Sequence, residues 1–457
     1  MRYATLLLGA GLTACCSAPP SAPPATTTAV VFDGARVITG EDRPPIERGT
    51  LVIDGGRVVA VGAAGAVTAP DGATRLDVTG KTIVPAFVDV HAHIGYMRDL
   101  TSGPQNYTRD NVEDHLRRYA WFGVAAVQAM GSDFTDLPFQ VRDDSRAGRI
   151  PGAARFLTAG RGLAPPDEVR PDNMRHAAYR ITSVDEVRTA IGELADRGVA
   201  IAKTWVDDRG GAVRPLTPAL YGAIIDEAHR RGLRVMVHAT GLAEAKALLR
   251  AGVDGFGHAF LDVDDELIDL LRARPHVFVT LALGGPRRLV AAPWLDPVHP
   301  LVAATVSPAQ ITRLRQRLAA QPEAERARAT AAWQRMAAGI ARLNAAGARI
   351  AVGTDGGGQT GDQFIGWTVH TEMENMVAAG MTPAQVLIAA TRTGAAVLGL
   401  DDLGTIAPGK SADVVVLDAN PLDDITYTRR IAQVYLRGVA VDRAGLQAQW
   451  TGAASAR

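Results

Sequence analysis

The middle of the chain alternates short apolar stretches with longer amphipathic ones, and this alternation constrains the fold more than any other feature. The apolar stretches have the length and β-branched content of buried strands. Amphipathic stretches such as SVDEVRTAIGELADRG and TPALYGAIIDEAHRRG begin with a Ser or Thr that can cap a helix and end on Gly. Eight strand candidates begin near residues 82, 124, 154, 199, 234, 254, 277 and 348. Eight such units predict an α/β fold, a (β/α)8 TIM barrel over residues 81–402.

The two ends of the chain have a different pattern. Short β-branched runs alternate with Asp-Gly and Gly-Gly turn signals in residues 29–80, and a similar pattern returns in residues 403–450. We expect these two segments to combine into one small β-sandwich domain. Inside the barrel region, residues 286–346 hold a Pro-rich loop and a long Ala- and Arg-rich helical stretch, more than a simple connection requires. We expect this insertion to form a flap over the barrel mouth.

The first 28 residues are typical of an export signal followed by a tether. The apolar run after Arg2 is too short to span a bilayer, and the string LTAC resembles the lipobox of bacterial lipoproteins. This pattern predicts a signal peptide over residues 1–14, a lipid on Cys15, and a Pro/Ala/Ser/Thr tether over residues 15–28. The alternative is an ordinary secretory signal with two incidental cysteines.

The lipoprotein interpretation is favoured because both cysteines of the chain lie in this segment. It predicts an exported, lipid-anchored membrane protein of the bacterial cell envelope, on the periplasmic side. The remainder of the chain then contains no disulfide, although that compartment is oxidising.

Composition limits the classes of partner. Hydrophobic residues make up 47% and charged residues 21% of the chain, which is typical of a folded globular protein. The 48 basic residues balance the 48 acidic ones, and no basic cluster with interleaved aromatics occurs, so nucleic-acid binding is disfavoured. We expect a small-molecule substrate and, through the lipid, a membrane. Assembly into a homo-oligomer stays open.

Two histidines end the first predicted barrel strand, in the stretch FVDVHAH. His91 and His93 project from the same face of an extended strand because strand side chains alternate with a period of two. Both imidazoles can therefore reach one metal ion. Two histidines in a polar loop are the alternative, but barrel enzymes place their chemistry at the carboxyl ends of strands, which favours a metal site.

Four further polar residues follow apolar strands at their carboxyl ends: Lys203, His238, His258 and Asp355. Each has an ordinary structural interpretation, as a surface lysine, a core histidine or a turn carboxylate. All of them lie at one rim of the predicted barrel, where so many polar groups need mutual partners because burying them unpaired is costly. The combination predicts a metal centre.

This set resembles the amidohydrolase superfamily, in which HxH follows the first strand, Lys the fourth, His the fifth and sixth, and Asp the eighth. The resemblance extends from about residue 30 to 445 and includes the closing string GTIAPGKSADVVVLD. The strings IAKTWVDD, IIDEAHRRG and VMVHATG are most similar to the imidazolonepropionase- and prolidase-like members. Ala86 and Gln128 depart from the Gly and Arg that are common in the family, but neither is a ligand.

The resemblance implies two divalent metal ions. His91, His93, Asp355 and a carbamate on Lys203 would hold one ion, and the Lys203 carbamate, His238 and His258 the other. The carbamate is chemically reasonable because a buried lysine with a lowered pKa offers a neutral amine to carbon dioxide. Histidine and carboxylate ligands suit Zn²⁺, while Mn²⁺, Co²⁺ and Fe²⁺ are also compatible.

The predicted reaction is hydrolysis of an amide bond by a water that the two ions share and activate. Asp355 is the predicted catalytic residue, which accepts the proton of this water and passes it to the leaving nitrogen. The expected substrates are a dipeptide, an N-acyl amino acid or a cyclic amide. Hydrolysis of an ester, lactone or other C–N substrate is the alternative, and a tethered binding lipoprotein without catalysis is a further one.

Three more residues are candidate substrate contacts. Arg161 follows the third strand and can pair with a substrate carboxylate. Trp205 flanks the predicted mouth, and His370 follows the eighth strand. Packing within the protein is the alternative role for the last two.

Overall fold

The computed structural model describes residues 29–167, 176–208, 211–284, 287, 290–358 and 363–455. The predicted signal peptide, the tether and the lipid site at Cys15 lie outside the described residues. Within them, no helix combines the length and the apolar character that a membrane crossing requires.

Strands from both ends of the chain form one sheet. Its members are β1 (Val30–Val37), β2 (Ile46–Asp54), β3 (Arg57–Ala63), β4 (Thr74–Asp77), β5 (Thr82–Pro85), β18 (Val414–Leu417), β19 (Ile431–Leu436) and β20 (Val439–Ala440). The order is β20-β19-β18-β5-β1-β2-β3, with β4 beside β1. β5 pairs in parallel with β1 and antiparallel with β18, so it links the strands from the two ends of the chain, although it lies beyond residue 80, where the predicted terminal segment ends. Their arrangement as a β-sandwich stays a prediction.

The second set of strands forms the barrel. It contains β6 (Phe87–Ala92), β9 (Val124–Ala129), β10 (Arg155–Thr158), β11 (Gly162–Ala164), β13 (Ile201–Trp205), β14 (Arg234–His238), β15 (Gly255–Phe256), β16 (Phe278–Thr280) and β17 (Arg349–Ala351). Neighbours pair in parallel as β10-β9-β6 and as β11-β13-β14-β15-β16-β17. The first and last strands meet where Val90 N donates to Val352 O (3.0 Å). This is a TIM-barrel-type α/β fold.

The apolar stretch that begins at residue 82 divides between the two sheets. Its first part is β5 of the terminal sheet and its second part is β6 of the barrel. The chain changes partner at Ala86, whose N donates to Asp413 O (2.9 Å), whereas Phe87 N donates to Gly123 O (2.9 Å). Sequence periodicity does not reveal this change because only Ala86 separates the two strands and both are buried along their whole length.

Helices cover the barrel. They are α1 (Arg109–Trp121), α2 (Leu137–Arg146), α3 (Val184–Asp196), α4 (Pro218–Arg230), α5 (Leu242–Ala251), α6 (Asp265–Arg272), α7 (Pro300–Ala303), α8 (Pro308–Ala319), α9 (Glu323–Ala345), α10 (Trp367–Ala378), α11 (Pro383–Ile388), α12 (Gly394–Leu398) and α13 (Arg443–Ser455). The short strands β7 (Met97–Arg98) and β8 (Thr101–Ser102) pair with each other, and β12 (Ala178–Arg180) pairs in parallel with β11. The predicted caps are present: the Ser183 side chain accepts from Glu186 N, and that of Thr217 from Leu220 N.

The insertion between β16 and β17 contains α7, α8 and α9. Its apolar side chains pack with Trp121, Phe122 and Trp367 beside the barrel. Two of its side chains also hold the loop that follows β6, because Gln310 Nε2 donates to Asp99 O and Arg313 Nη1 to Leu100 O, both at 2.8 Å. The insertion therefore contacts and stabilises a loop at the rim of the barrel. A role of the insertion in covering the mouth of the barrel stays a prediction.

A mostly buried ion pair joins the barrel to the terminal sheet. The Arg155 guanidinium donates to both carboxylate oxygens of Asp413 at 2.8 and 3.1 Å, and the Asp413 side chain is 2% exposed. We expect Arg155→Ala to lower the free energy of unfolding by about 3 kcal/mol, because it leaves a buried carboxylate without its main partner. Urea unfolding measures this change.

Arg188→Ala is the matched control, since it breaks an exposed ion pair with Asp185. We expect this control to lower the free energy of unfolding by less than about 1 kcal/mol. Equal stabilities of the two variants would contradict the role of the Arg155 pair.

Candidate metal centre

The parallel barrel strands bring the predicted ligands to one end of the barrel. His91, Lys203 and His238 lie within β6, β13 and β14. His93 directly follows β6, His258 lies two positions after the end of β15, and Asp355 follows β17. Because all these strands run in the same direction, their carboxyl ends share one face.

Distances confirm that these side chains are close together. His93 Nε2 lies 2.8 Å and His91 Nε2 3.4 Å from the same oxygen of Asp355, Oδ1. Ring centroids are 5.2 Å apart for His91 and His258, and 4.1 Å apart for His238 and His258. A Cβ placed on Gly257 would lie 2.8 Å from Lys203 Nζ and 3.2 Å from His91 Cε1, so the lysine amine reaches the same cluster.

Three of these residues meet the geometric requirement for a metal site. One ligand atom each from His91, His258 and Asp355 lies within 4.8 Å of the others. Imidazole and carboxylate are the donors that Zn²⁺ and similar ions use. The residues present therefore fit a divalent transition metal.

The electrostatics of the cluster favour metal-binding protonation states. Burial, and then the positive charges of Lys203 and His93, lower the pKa of His91 well below its ordinary value. Burial lowers the pKa of His258 in the same way. These imidazoles are neutral near pH 7, as metal coordination requires.

The pKa of the Asp355 carboxyl is shifted in the direction that favours the ionised form. Burial opposes its charge, but the hydrogen bond with His93 and the nearby positive charges outweigh it and lower the pKa. The side chain keeps 31% exposure. Neutral imidazoles on His91 and His258 and an ionised carboxylate on Asp355 are thus available at neutral pH.

Hydrogen bonds orient the histidines. The Nδ1 of His91 lies 2.9 Å from Gly257 O, and that of His93 2.8 Å from Ser132 Oγ. With Nδ1 engaged in this way, each Nε2 is directed toward Asp355. Such contacts on the far nitrogen fix the tautomer and the ring plane of metal-binding histidines.

Asp89 anchors the ends of the first and last barrel strands to each other. Its carboxylate accepts from Thr354 N (3.1 Å), from Thr354 Oγ1 (2.7 Å) and from His91 N (3.2 Å). The backbone of Asp355 is held in a left-handed conformation, φ 55°, and its N donates to His91 O at 2.8 Å. Burial raises the pKa of Asp89 to about 7, against the effect of these hydrogen bonds.

Two residues that contact the cluster are absent from our sequence predictions. Asp89 shares the strand face of His91, two positions earlier, and this spacing is a signal that the sequence contains. Asp207 lies 3.3 Å from His238 Nε2 through Oδ2. It follows β13 in a loop, and its partner is 31 positions away, so no local pattern indicates it.

The three predicted substrate contacts have different environments. Trp205 lies beside the cluster, with its ring centroid 5.4 Å from Lys203 Nζ. His370 is instead fully buried, with Nδ1 3.0 Å from Thr428 Oγ1 and Nε2 3.0 Å from Phe122 O. Both its nitrogens are engaged within the protein, so a direct substrate contact by His370 is not supported.

Arg161 is also directed elsewhere. Its guanidinium donates to Ala178 O at 3.0 Å and stacks on Tyr179 at 4.3 Å. These groups line a cavity of about 320 Å³ that α2 and α3 border through Phe139 and Leu194. The placement does not support Arg161 as a contact to a substrate held at the cluster.

A larger cavity, of about 900 Å³, lies between α1, the N-terminal end of α8 and α13. Its described walls include Asp114, Arg118 and Trp450, but none of the six predicted ligands. It is therefore separate from the metal centre.

Comparison with known proteins decides the family. The model of the amidohydrolase family matches residues 82–441. The chain belongs to this family. It is therefore a metal-dependent hydrolase that acts on carbon–nitrogen bonds of small molecules, and the resemblance predicted from the sequence is confirmed.

Relatives in this family support the same subgroup. An imidazolonepropionase from Streptomyces avermitilis is 27% identical over 429 residues, covering 86% of this chain and 87% of the relative. An enamidase from Eubacterium barkeri is 22% identical over 392 residues, covering 85% and 86%. The structure of a Bifidobacterium longum protein that is assigned as a prolidase superposes with a TM-score of 0.70 at 26% identity, covering 94% of this chain and 99% of that one.

Proposed function

We propose that this amidohydrolase cleaves the amide bond of a dipeptide, an N-acyl amino acid or a cyclic amide. The observation that carries the proposal is the cluster of His91, His258 and Asp355, whose ligand atoms lie within 4.8 Å of one another. Relatives named imidazolonepropionase, enamidase and prolidase support C–N hydrolysis by the same fold.

The proposed centre holds two divalent ions, Zn²⁺ by preference. His91, His93, Asp355 and a carbamate on Lys203 would hold one ion, and the same carbamate with His238 and His258 would hold the other. When bound, such ions polarise the substrate carbonyl and lower the pKa of water. Support for this division comes from the short distances of both HxH histidines to Asp355 and from the edge-to-face contact between the His238 and His258 rings.

Asp355 is the proposed proton carrier. Its lowered pKa keeps the carboxylate ionised at neutral pH, so it is ready to accept a proton from the attacking water. The backbone hydrogen bond to His91 O and the contact with His93 hold the carboxylate in position. The same group then donates the proton to the leaving nitrogen. A conjugate acid with a low pKa gives up its proton readily.

Among the predicted substrate contacts, Trp205 is the one that we keep. It ends β13 next to Lys203 and is 4% exposed. An indole face at this position can exclude water from one side of a bound substrate.

A library of dipeptides, N-acyl amino acids, cyclic amides, esters and lactones tests the proposed reaction. We expect an amide to be the best substrate, with hydrolysis abolished by a chelator and restored by Zn²⁺. Preferred cleavage of an ester or lactone would replace the proposed substrate class. Absence of any hydrolysis in a zinc-loaded preparation would contradict the proposal.

We further propose export and lipid attachment at Cys15, on the basis of the LTAC string. We expect Cys15→Ser to move the protein from the membrane fraction to the soluble fraction of a bacterial host that processes lipoproteins. Cys16→Ser is the matched control and should remain in the membrane fraction. Equal partitioning of the two variants would contradict attachment at Cys15.

A further inference from the structure

His238 differs from the two HxH histidines in what contacts its ring. His91 and His93 each place Nδ1 against a neutral oxygen, Gly257 O and Ser132 Oγ. His238 instead places Nε2 3.3 Å from the carboxylate of Asp207. A carboxylate behind an imidazole strengthens the ring as a ligand, because it stabilises the positive charge that develops on coordination.

The backbone holds these two side chains beside each other. Trp205 pairs with His238 in the parallel ladder of β13 and β14, and Val206 N donates to His238 O at 3.2 Å. Asp207 is the next residue, so its side chain starts at the end of the neighbouring strand. Both side chains are 15% exposed, and little solvent therefore screens their interaction.

We infer that Asp207 is a positioning residue for His238 and thereby sets the affinity of the second metal ion. As an acceptor for Nε2–H, the carboxylate fixes the tautomer that leaves Nδ1 unprotonated for coordination. The first ion uses His91, His93 and Asp355, whose orienting contacts do not involve Asp207. Loss of Asp207 therefore weakens the binding of the second ion and leaves the binding of the first ion unchanged. The inference rests on the proposed two-ion centre.

Zinc titration of metal-depleted protein tests this inference without recourse to activity. A chromogenic chelator competes for Zn²⁺, and metal content after gel filtration gives the stoichiometry. The variants are Asp207→Ala, which removes the acceptor, and Asp207→Asn, which keeps an amide oxygen in its place. Asp208→Ala is the matched control, as an exposed aspartate in the same loop.

We expect Asp207→Ala to lower the affinity for the second ion about 10- to 100-fold, while the affinity for the first ion stays at the wild-type value. The affinity of Asp207→Asn for the second ion should lie between those of Asp207→Ala and the wild type, because the amide oxygen still accepts from His238 Nε2–H. Asp208→Ala should match the wild type, and thermal melting of the metal-free variants should stay close to that of the metal-free wild type.

Three results would overturn the inference. The first is wild-type affinity for both ions in Asp207→Ala. The second is an equal loss of affinity for both ions in Asp207→Ala. The third is a loss in Asp207→Asn as severe as in Asp207→Ala, which would make Asp207 a direct ligand. A wild-type protein that binds no zinc would instead contradict the proposed two-ion centre, so the two failures are distinguishable.

Discussion

Asp355→Asn is expected to lower kcat by about 10³- to 10⁴-fold, the upper part of the range that general acid–base catalysis supplies. The amide has the size and shape of the carboxylate, so the contacts with His93 and with the backbone of His91 are kept in outline. It cannot accept and return a proton at neutral pH. Steady-state kinetics at saturating Zn²⁺, with metal content measured on the same samples, gives the effect.

Loss of metal is a competing explanation for an inactive Asp355 variant, because the carboxylate is also a proposed ligand. The comparison is therefore made on samples that retain zinc, and a fully loaded variant with near-normal turnover would contradict the proton-carrier role. Asp262→Asn is the matched control. Asp262 follows β15 at the same rim, pairs with Arg335 at 3.9 Å on the surface, and should have wild-type kinetics as an asparagine.

Lys203→Met should abolish both turnover and tight binding of two ions. Lys203 is 1% exposed in β13, and the unbranched side chain of methionine is only one atom shorter, so the barrel should tolerate the change better than a truncation to alanine. Methionine cannot form the carbamate that is proposed to bridge the ions. Losing several kcal/mol of charge stabilisation corresponds to a loss of at least about 10³-fold in rate.

Bicarbonate dependence separates the carbamate from a purely structural role of Lys203. Metal-depleted wild-type protein should regain full activity faster with Zn²⁺ and bicarbonate than with Zn²⁺ in carbon dioxide-free buffer. Lys203→Met should respond to neither addition. The carbamate would be contradicted if the activity of the wild type recovered at the same rate with and without bicarbonate and if Lys203→Met bound zinc and was active.

Much of the candidate site was predictable from the sequence because it depends on local periodicity. The spacing of His91 and His93 puts both side chains on one strand face, and the position of Lys203, His238, His258 and Asp355 after apolar runs places each at a strand end. Parallel strands then bring those ends to one rim whatever the detailed packing. Helix caps at Ser183 and Thr217 were predictable for the same reason, since a cap contacts residues only three positions away.

The contacts that orient these ligands depend on the tertiary structure. Asp89 and Thr354 are 265 positions apart, and Asp207 meets His238 only because β13 and β14 are neighbours. His370 and Arg161 have polar side chains near strand ends, as the ligands do, yet one is enclosed by Phe122 and Thr428 and the other stacks on Tyr179. The direction of a side chain beyond a strand is set by loop conformation and packing, which periodicity does not encode.

The sequence by itself therefore determined the TIM-barrel-type α/β fold and the position of the six candidate ligands at or near strand ends, because strand alternation and strand direction are repeated, local properties. Only the tertiary structure decided which polar residues face the metal centre and which face the surrounding helices. It also decided where the chain passes from one sheet to the other, at Ala86, because that choice depends on Asp413 and Gly123, which lie far along the chain. Long-range partners of this kind leave no periodic signal in the sequence.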